Sequence, residues 1–344
     1  MTAGRPVFFR IYEPRHQASE MSRQTPAVGP RSSATVGAPS TLGVVIVSVL
    51  MVGALAGTLL LARRNIRLGR GDRAGASRLA LTLCLVFVCA SLLRATHSLD
   101  LWVLAQTVVV LIGKGLLVGA IAWLSYVALE PDLRRRAPHM LISWTRLLSG
   151  RLADPLVGRD ILAGVVLGVG FELLSLLGQV VPAWVGQAPD VTLPFGGAPS
   201  SRIREVIGAI MGNWVEAVLF STMLTLVVFL LTLTLRRRWL VGLVFVGLLT
   251  AVAISNLGFT IGLGFALPML IVMMLAVLHF GLLTFIVMNY VGPLIDHVPM
   301  TFDPGVWYAT QSWLVLAVIV GLAVYAYRAA VAGRSVLSPG WLPE

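Results

Sequence analysis

Long apolar runs recur along most of this chain, and they restrict its fold more than any other feature. One of them, TLGVVIVSVLMVGALAGTLLLA at residues 41–62, contains no charged residue. A helix of about 18 or more apolar residues is long enough to cross the hydrocarbon core of a bilayer. Because 57% of the residues are hydrophobic and only 12% are charged, the sequence predicts an all-α, polytopic integral membrane protein.

The number of spans depends on one unusually long run. The predicted spans cover about residues 41–62, 79–93, 101–129, 161–181, 206–235, 239–255, 259–291 and 306–327. As a single helix, 259–291 would be about 50 Å long, whereas the hydrocarbon core is about 30 Å thick. We expect about nine transmembrane helices if this run contains two spans, and eight if it is one span.

Arginine clusters at the ends of the apolar runs predict the orientation. They occur at 63–78, 134–159, 236–238 and 328–334. Basic residues are enriched in cytoplasmic loops, and nine spans place all four clusters on that side, with the N-terminus outside and the C-terminus inside. The net charge of +11 therefore reflects topology and argues against nucleic-acid binding. The predicted location is the bacterial inner (cytoplasmic) membrane.

The ends of the chain are expected to lie outside this membrane domain. Residues 1–40 are polar and predict a disordered tail, 41–334 form the multi-span domain, and 335–344 form a short C-terminal tail. The only cysteines, Cys84 and Cys89, lie within one apolar run and are interpreted as small apolar side chains that do not form a disulfide.

The segment 130–160, EPDLRRRAPHMLISWTRLLSGRLADPLVGRD, is the most polar part of the membrane domain. Pro131 and Pro138 are expected to end the preceding helix. Residues 139–152 have apolar side chains at helical spacing and predict an amphipathic helix on the cytoplasmic membrane surface. After a turn at Asp154-Pro155, Asp160 is the expected N-cap of the next span.

This segment predicts either a connector resting on anionic lipid head groups or a docking site for a partner protein. Trp144 is expected at the head-group boundary. The residues expected to contact lipid or a partner are Arg134, Arg135, Arg136, Trp144, Arg146 and Arg151.

Together with ARRNIRLGRGDRAGASRLAL upstream, this segment resembles the C-terminal multi-span membrane region of bacterial Pkn-type serine/threonine protein kinases. The resemblance covers about residues 41–334 and implies a role in kinase-type signalling, with a kinase or another membrane protein as partner. The chain has no glycine-rich phosphate loop, VAIK-like lysine, HRD or DFG motif. The resemblance therefore does not extend to kinase activity, and no cofactor is implied.

Four ionisable residues within the predicted spans are candidate functional residues, because charge inside a membrane is costly. Lys114 and Glu172 are predicted to lie at about the same depth in the membrane and are expected to form an ion pair. The pair either neutralises itself and fixes the helix register, or forms part of a ligand or proton site. The candidates are Lys114, Glu172, Glu216 and His279.

These features favour a non-catalytic membrane module that senses or anchors in signalling. The first alternative is a small-solute or ion transporter, and a more distant one is an intramembrane hydrolase with Glu216 and His279 as metal ligands. No HExxH, GxSxG or EExxxR motif accompanies those two residues. The sequence predicts no catalytic residue and no metal site.

Overall fold

The computed structural model describes residues 41–95, 100–184, 202–235, 237, 240–247, 250, 259–296, 298, 300–306 and 308–331. All of them belong to one unit, Pro39–Glu344. The predicted tails 1–40 and 335–344, and residues 239, 248–249 and 251–255 of the predicted span 239–255, lie outside the described residues. Those predictions stay predictions.

The described part of the chain is helical, as predicted. The helices are α1 (Thr41–Arg67), α2 (Arg73–Arg94), α3 (Leu101–Arg136), α4 (Ile142–Leu148), α5 (Pro155–Trp184), α6 (Ile203–Leu235), α7 (Phe259–Leu275), α8 (Leu282–Asp296) and α9 (Ala309–Val331). A 3-10 turn, Pro138–Met140, precedes α4, and a π-helical turn, Ala276–Phe280, separates α7 from α8. Residues 240–247 are also helical.

In the described part of the chain, five helices are long and apolar enough to cross a membrane: α2, α3, α5, α6 and α9. The apolar helix α8 is shorter, with 15 residues. Large apolar side chains on the outer faces of the long helices are exposed; Leu116 and Leu117 of α3 and Val166 of α5 are each more than 60% exposed. Such a surface suits lipid tails, because the hydrophobic effect would drive these side chains out of water.

The arginine clusters lie at one end of the helices, which we call the basic end. The C-terminal parts of α1 and α3 meet there, where Asn65 Nδ2 lies 3.1 Å from the carbonyl oxygen of Val127. Arg136 at the end of α3 and Arg237 beyond the end of α6 border the same cleft. Tyr325, near the C-terminal end of α9, donates to a carbonyl of the loop before α5.

Helix packing forms two groups that α6 joins. In one group α3 packs on α1 and α2, and in the other α5 packs on α8 and α9. α6 contacts both α2 and α8. Residues on α3 and α5 can therefore lie at similar depth and still face different neighbours.

Glycines allow α5 to approach its neighbours closely. A Cβ atom added at Gly168 would lie 2.9 Å from the carbonyl oxygen of Met288 in α8. One added at Gly158 would clash with the backbone nitrogen of Ala330 in α9. Small residues permit this kind of close contact between membrane helices, so α5 is held by backbone-to-backbone packing along much of its length.

The long apolar run 259–291 is divided near its middle. The π-helical turn after α7 leads to Gly281, whose φ of +105° favours glycine. A Cβ at Gly281 would also lie 2.9 Å from the carbonyl oxygen of Met140, at the basic end. From this break α8 runs into the bundle with seven consecutive buried residues, Leu282–Met288. The alternative of one long helix over 259–291 is not observed.

Pro131 lies inside α3, so the prediction that it ends the helix is wrong. Proline has no N–H for the carbonyl four residues earlier, which here belongs to Val127. The buried side-chain amide of Asn65 provides a replacement donor, with Nδ2 3.1 Å from Val127 O and 3.2 Å from Ala128 O. The helix ends at Arg136, shortly before Pro138, as the second proline predicted.

Replacing Asn65 with leucine should therefore destabilise the protein. We expect the free energy of unfolding to fall by about 1–3 kcal/mol, because a buried carbonyl would lose its donor. Denaturant titration in detergent micelles measures this loss. In a Pro131→Ala background the helix regains its own N–H, so the cost of Asn65→Leu should shrink. An equal cost in both backgrounds would show that Asn65 does not compensate for the proline.

Candidate functional site

The predicted ion pair between Lys114 and Glu172 is not formed. Lys114 is exposed on α3, whereas Glu172 is buried on α5, and no salt bridge joins them. The positions of Lys114 and Glu172 along their helices predict similar depths in the membrane. They do not predict which face of its helix each side chain occupies. Because α3 packs on α1 and α2 while α5 packs on α8 and α9, the two side chains point to different surroundings.

Glu172 places its carboxyl group between α5 and α8. Its side chain is only 5% exposed, and its Oε1 has no hydrogen-bond partner among the described residues. The other oxygen would lie 3.7 Å from a Cβ at Gly292, so the glycine leaves room for the carboxyl group. The negative charge of Asp296, at the end of α8, repels a negative charge on Glu172. Leaving such a group unpaired costs about 1–3 kcal/mol, which favours a functional role over a structural one.

A cavity of about 250 Å³ adjoins this carboxyl group. Phe302 and Trp313 form its exposed side, with their rings edge to face and the centroids 6.3 Å apart. The lining residues are Val169, Glu172, Leu173, Leu176, Ile295, Met300, Thr301, Phe302, Ser312, Trp313, Leu316 and Ile319. Since Met300–Phe302 belong to the connection after α8, the cavity lies toward the end opposite the basic end.

This lining fits a small protonated amine with an apolar body. An ammonium group carries N–H donors and no acceptor, so it can satisfy the unpaired oxygen of Glu172. The aromatic faces of Trp313 and Phe302 attract cations, and the aliphatic side chains would cover the apolar part of the ligand. Among the described lining residues the charged side chain is the acid Glu172, and none is a lysine or arginine.

Glu216 and His279, the other ionisable candidates, do not belong to this cavity. Glu216 is exposed on α6. His279 is exposed in the turn after α7, with its ring edge to face with that of Phe280 at 5.3 Å. Within the described ranges, no three side chains of the metal-binding types form a group that could hold an ion. The geometry therefore gives no support to a metal-dependent hydrolase.

The arginines predicted to meet lipid or a partner are at the basic end, but two of them have internal partners. Arg134 pairs with Glu130 at 2.9 Å. Glu130 is buried, and its other oxygen accepts from the backbone N–H of Asp72 at 3.3 Å. Arg146 pairs with Asp154 at 2.7 Å. Arg134 therefore pairs within α3 with the carboxylate that binds the α1–α2 connection, and Arg146 links α4 to the residue before α5.

Arg136 borders a second cavity, of about 390 Å³, which we call the basic cleft. Its guanidinium carbon lies 5.9 Å from the ring centroid of Phe229. His139 and Arg237 also line the cleft, which has an apolar floor from α6 and α7. Arg135 and Arg151 are exposed outside it. The cleft is therefore a cationic and partly apolar surface suited to anionic amphiphiles.

Residues 139–152 do not form the predicted amphipathic surface helix. Only Ile142–Leu148 are α-helical. Trp144 is 1% exposed, so the prediction that it lies at the head-group boundary is wrong. Leu141 and Trp144 are buried and α4 contacts α5 and α8, whereas Leu152 is exposed. A helix that packs on protein and a helix that lies on a membrane have the same periodicity of apolar residues. The sequence therefore does not distinguish these two locations.

Asp160 is not the N-cap of α5, because the helix begins earlier, at Pro155. Asp154 takes that role: its Oδ1 accepts from the backbone N–H of Leu156 at 2.9 Å. Proline is favoured at the first position of a helix, where its missing N–H costs nothing. The pattern Asp-Pro was the available signal, and we interpreted it as a turn.

Asp160 instead connects three helices at the basic end. It is buried, accepts a hydrogen bond from the hydroxyl of Ser143 in α4, and pairs with Arg159 at 3.0 Å. Its backbone carbonyl accepts from Thr284 Oγ1 of α8 at 2.9 Å. One polar contact thus joins α4 to α5, and a second joins α8 to α5.

Acid should weaken the contact between α4 and α5. The backbone N–H of Leu156 and then the guanidinium of Arg146 hold the pKa of Asp154 below its usual value. A carboxyl whose pKa is lower in the folded state stabilises the fold above its unfolded pKa, about 3.9, and loses this contribution as the pH falls through the folded pKa. We expect Asp154→Asn to be less stable than wild type near pH 7, and the difference to shrink below about pH 4. A difference in detergent unfolding curves that stays constant with pH would contradict this.

Long apolar helices with exposed apolar side chains define the chain as a multi-pass helical membrane protein. Comparison with protein-family models, with curated proteins and with solved structures found no match. Its distinguishing features are the cavity at Glu172 and the basic cleft.

Proposed function

We propose that this chain is a non-catalytic membrane module that binds a small organic amine at the Glu172 cavity and signals its presence. The supporting observation is Glu172 itself, which is buried, has an oxygen without a donor among the described residues, and adjoins a cavity of about 250 Å³. A carboxylate with a purely structural role is expected to have hydrogen-bond partners. ATP-dependent phosphorylation by the purified chain would overturn the non-catalytic part of this proposal.

We infer nine spans in a bacterial inner membrane, with the basic end in the cytoplasm. The support is that α7 ends and α8 begins at the same end as the arginine clusters, because Met274 borders the basic cleft and Gly281 contacts Met140. An odd number of spans leaves the N-terminus outside and the C-terminus inside. A reporter fused after Arg334 is expected to be cytoplasmic, and an external reporter would contradict this topology.

The basic end is where we propose that the signal reaches a partner. The resemblance of residues 41–334 to the membrane region of Pkn-type kinases supports a kinase-type partner, and anionic head groups would contact the same surface. Arg135, Arg136 and Arg151 are exposed and form no salt bridge with a described residue.

The docking role can be separated from topology by neutralising only those three arginines. Arg134 and Arg146 stay unchanged, because they pair with Glu130 and Asp154. The triple glutamine variant should insert normally and lose ATP-dependent phosphorylation by a co-purified kinase. If the only effect is altered membrane topology, these arginines have no docking role.

Transport of small amines is the second candidate. The supporting observation is the buried carboxyl group of Glu172 within a spanning helix, since ionisable residues inside a membrane mark substrate and ion pathways. Liposomes containing the chain should bind hexylammonium without moving it faster than protein-free liposomes. A protein-dependent flux that Glu172→Gln removes would replace sensing by transport.

A further inference from the structure

Lys114 points away from the protein, within the apolar part of a spanning helix. It is exposed on α3 between Val110 and Leu117, which are 52% and 61% exposed. Among the described residues it has no ion-pair partner. An unpaired charge near the centre of a spanning helix costs about 2.5–3.5 kcal/mol on insertion scales. A partner of opposite charge beside Lys114 would reduce this cost.

Glu216 is the complementary feature on another helix. It is exposed on α6 near Phe220, which is 50% exposed, and it too forms no salt bridge within the described part of the chain. Lys114 and Glu216 follow the starts of their helices, Leu101 and Ile203, by the same number of residues. Both therefore lie about 20 Å from the helix end opposite the basic end, at 1.5 Å per residue.

We propose that two copies of this chain associate in the membrane, with Lys114 of each copy paired to Glu216 of the other. The chain itself carries both charges at one depth and on outward faces, so a twofold axis along the membrane normal would satisfy both pairs at once. Gly113, beside Lys114, has no atom within 4 Å of an added Cβ. An open glycine on this flank permits close approach of a second helix. This association is independent of the Glu172 cavity.

Charge reversal tests the pairing directly. Lys114→Glu alone and Glu216→Lys alone place like charges opposite each other, so each variant should self-associate at least about tenfold more weakly than wild type. Mixing the two variants restores opposite charges at both contacts, so heterodimers should form with nearly wild-type affinity. Fluorescence energy transfer between labelled full-length chains in liposomes measures all three combinations.

The mixture also controls for misfolding, because a misfolded variant would not associate with its counterpart. Wild-type chains that stay monomeric, or folded variants that fail to pair when mixed, would overturn the proposal. If either reversal prevents folding, Lys114→Gln and Glu216→Gln replace it, and each should still weaken association about tenfold. Unchanged association in the glutamine variants would also overturn it. Arg135→Gln, which removes a charge outside the membrane, should leave association unchanged.

Discussion

Replacing Gly168 with valine is expected to lower the free energy of unfolding by about 1–3 kcal/mol. The new side chain would meet α8, because an added Cβ lies 2.9 Å from both the carbonyl oxygen of Met288 and the Cβ of Val291. The packing of α5 on α8 leaves no room for it unless the backbones separate. Unfolding in mixed micelles with increasing denaturant measures the change.

Gly170→Val is the matched control for this prediction. It lies two residues away on the same helix, and an added Cβ there meets no atom within 4 Å. The intrinsic cost of valine in a helix is the same at both positions, so the difference between the variants reports packing alone. We expect Gly170→Val to stay within about 0.5 kcal/mol of wild type. Equal losses at the two sites would contradict close packing of α5 on α8.

Glu172→Leu is expected to keep or raise stability while abolishing amine binding. Leucine removes a buried oxygen that lacks a donor, and relieving such a group gains about 1–3 kcal/mol. The same change removes the only acid among the described residues that line the cavity, so the affinity for hexylammonium should fall at least about tenfold. A carboxylate that serves the fold would behave in the opposite way, with stability lost on substitution.

The sequence predicted where helices run better than which faces they bury. Apart from 239–255, the apolar runs correspond to α1–α3, α5, α6 and α9, and the run 259–291 contains α7 and most of α8. Lys114 and Trp144 show what was missing. The depth of Lys114 followed from its position along the helix, but its outward direction depends on α3 packing on α2. The sequence predicts Trp144 at the lipid boundary, whereas its side chain is buried and its helix contacts α5 and α8.

Contacts between segments far apart in the chain were the other unpredictable part. Asn65 compensates for Pro131 across more than sixty residues, and no local pattern marks it as different from a polar loop residue. Ser143 and Asp160 meet only because α4 folds back on α5. Glu172 was predicted as a candidate site residue, but its lack of a partner became visible only from its surroundings.

The central claim is that the Glu172 cavity binds a protonated amine. Titration of the purified full-length chain with hexylammonium at about pH 7, followed by tryptophan fluorescence and calorimetry, tests it directly. The comparison ligand is 1-hexanol, which has the same chain length as hexylammonium but no charge. Wild type and Glu216→Gln should bind hexylammonium at least about tenfold more tightly than 1-hexanol. Glu172→Gln should lose this preference. Equal affinity for the two probes in wild type, or a preference that survives in Glu172→Gln, would contradict the account.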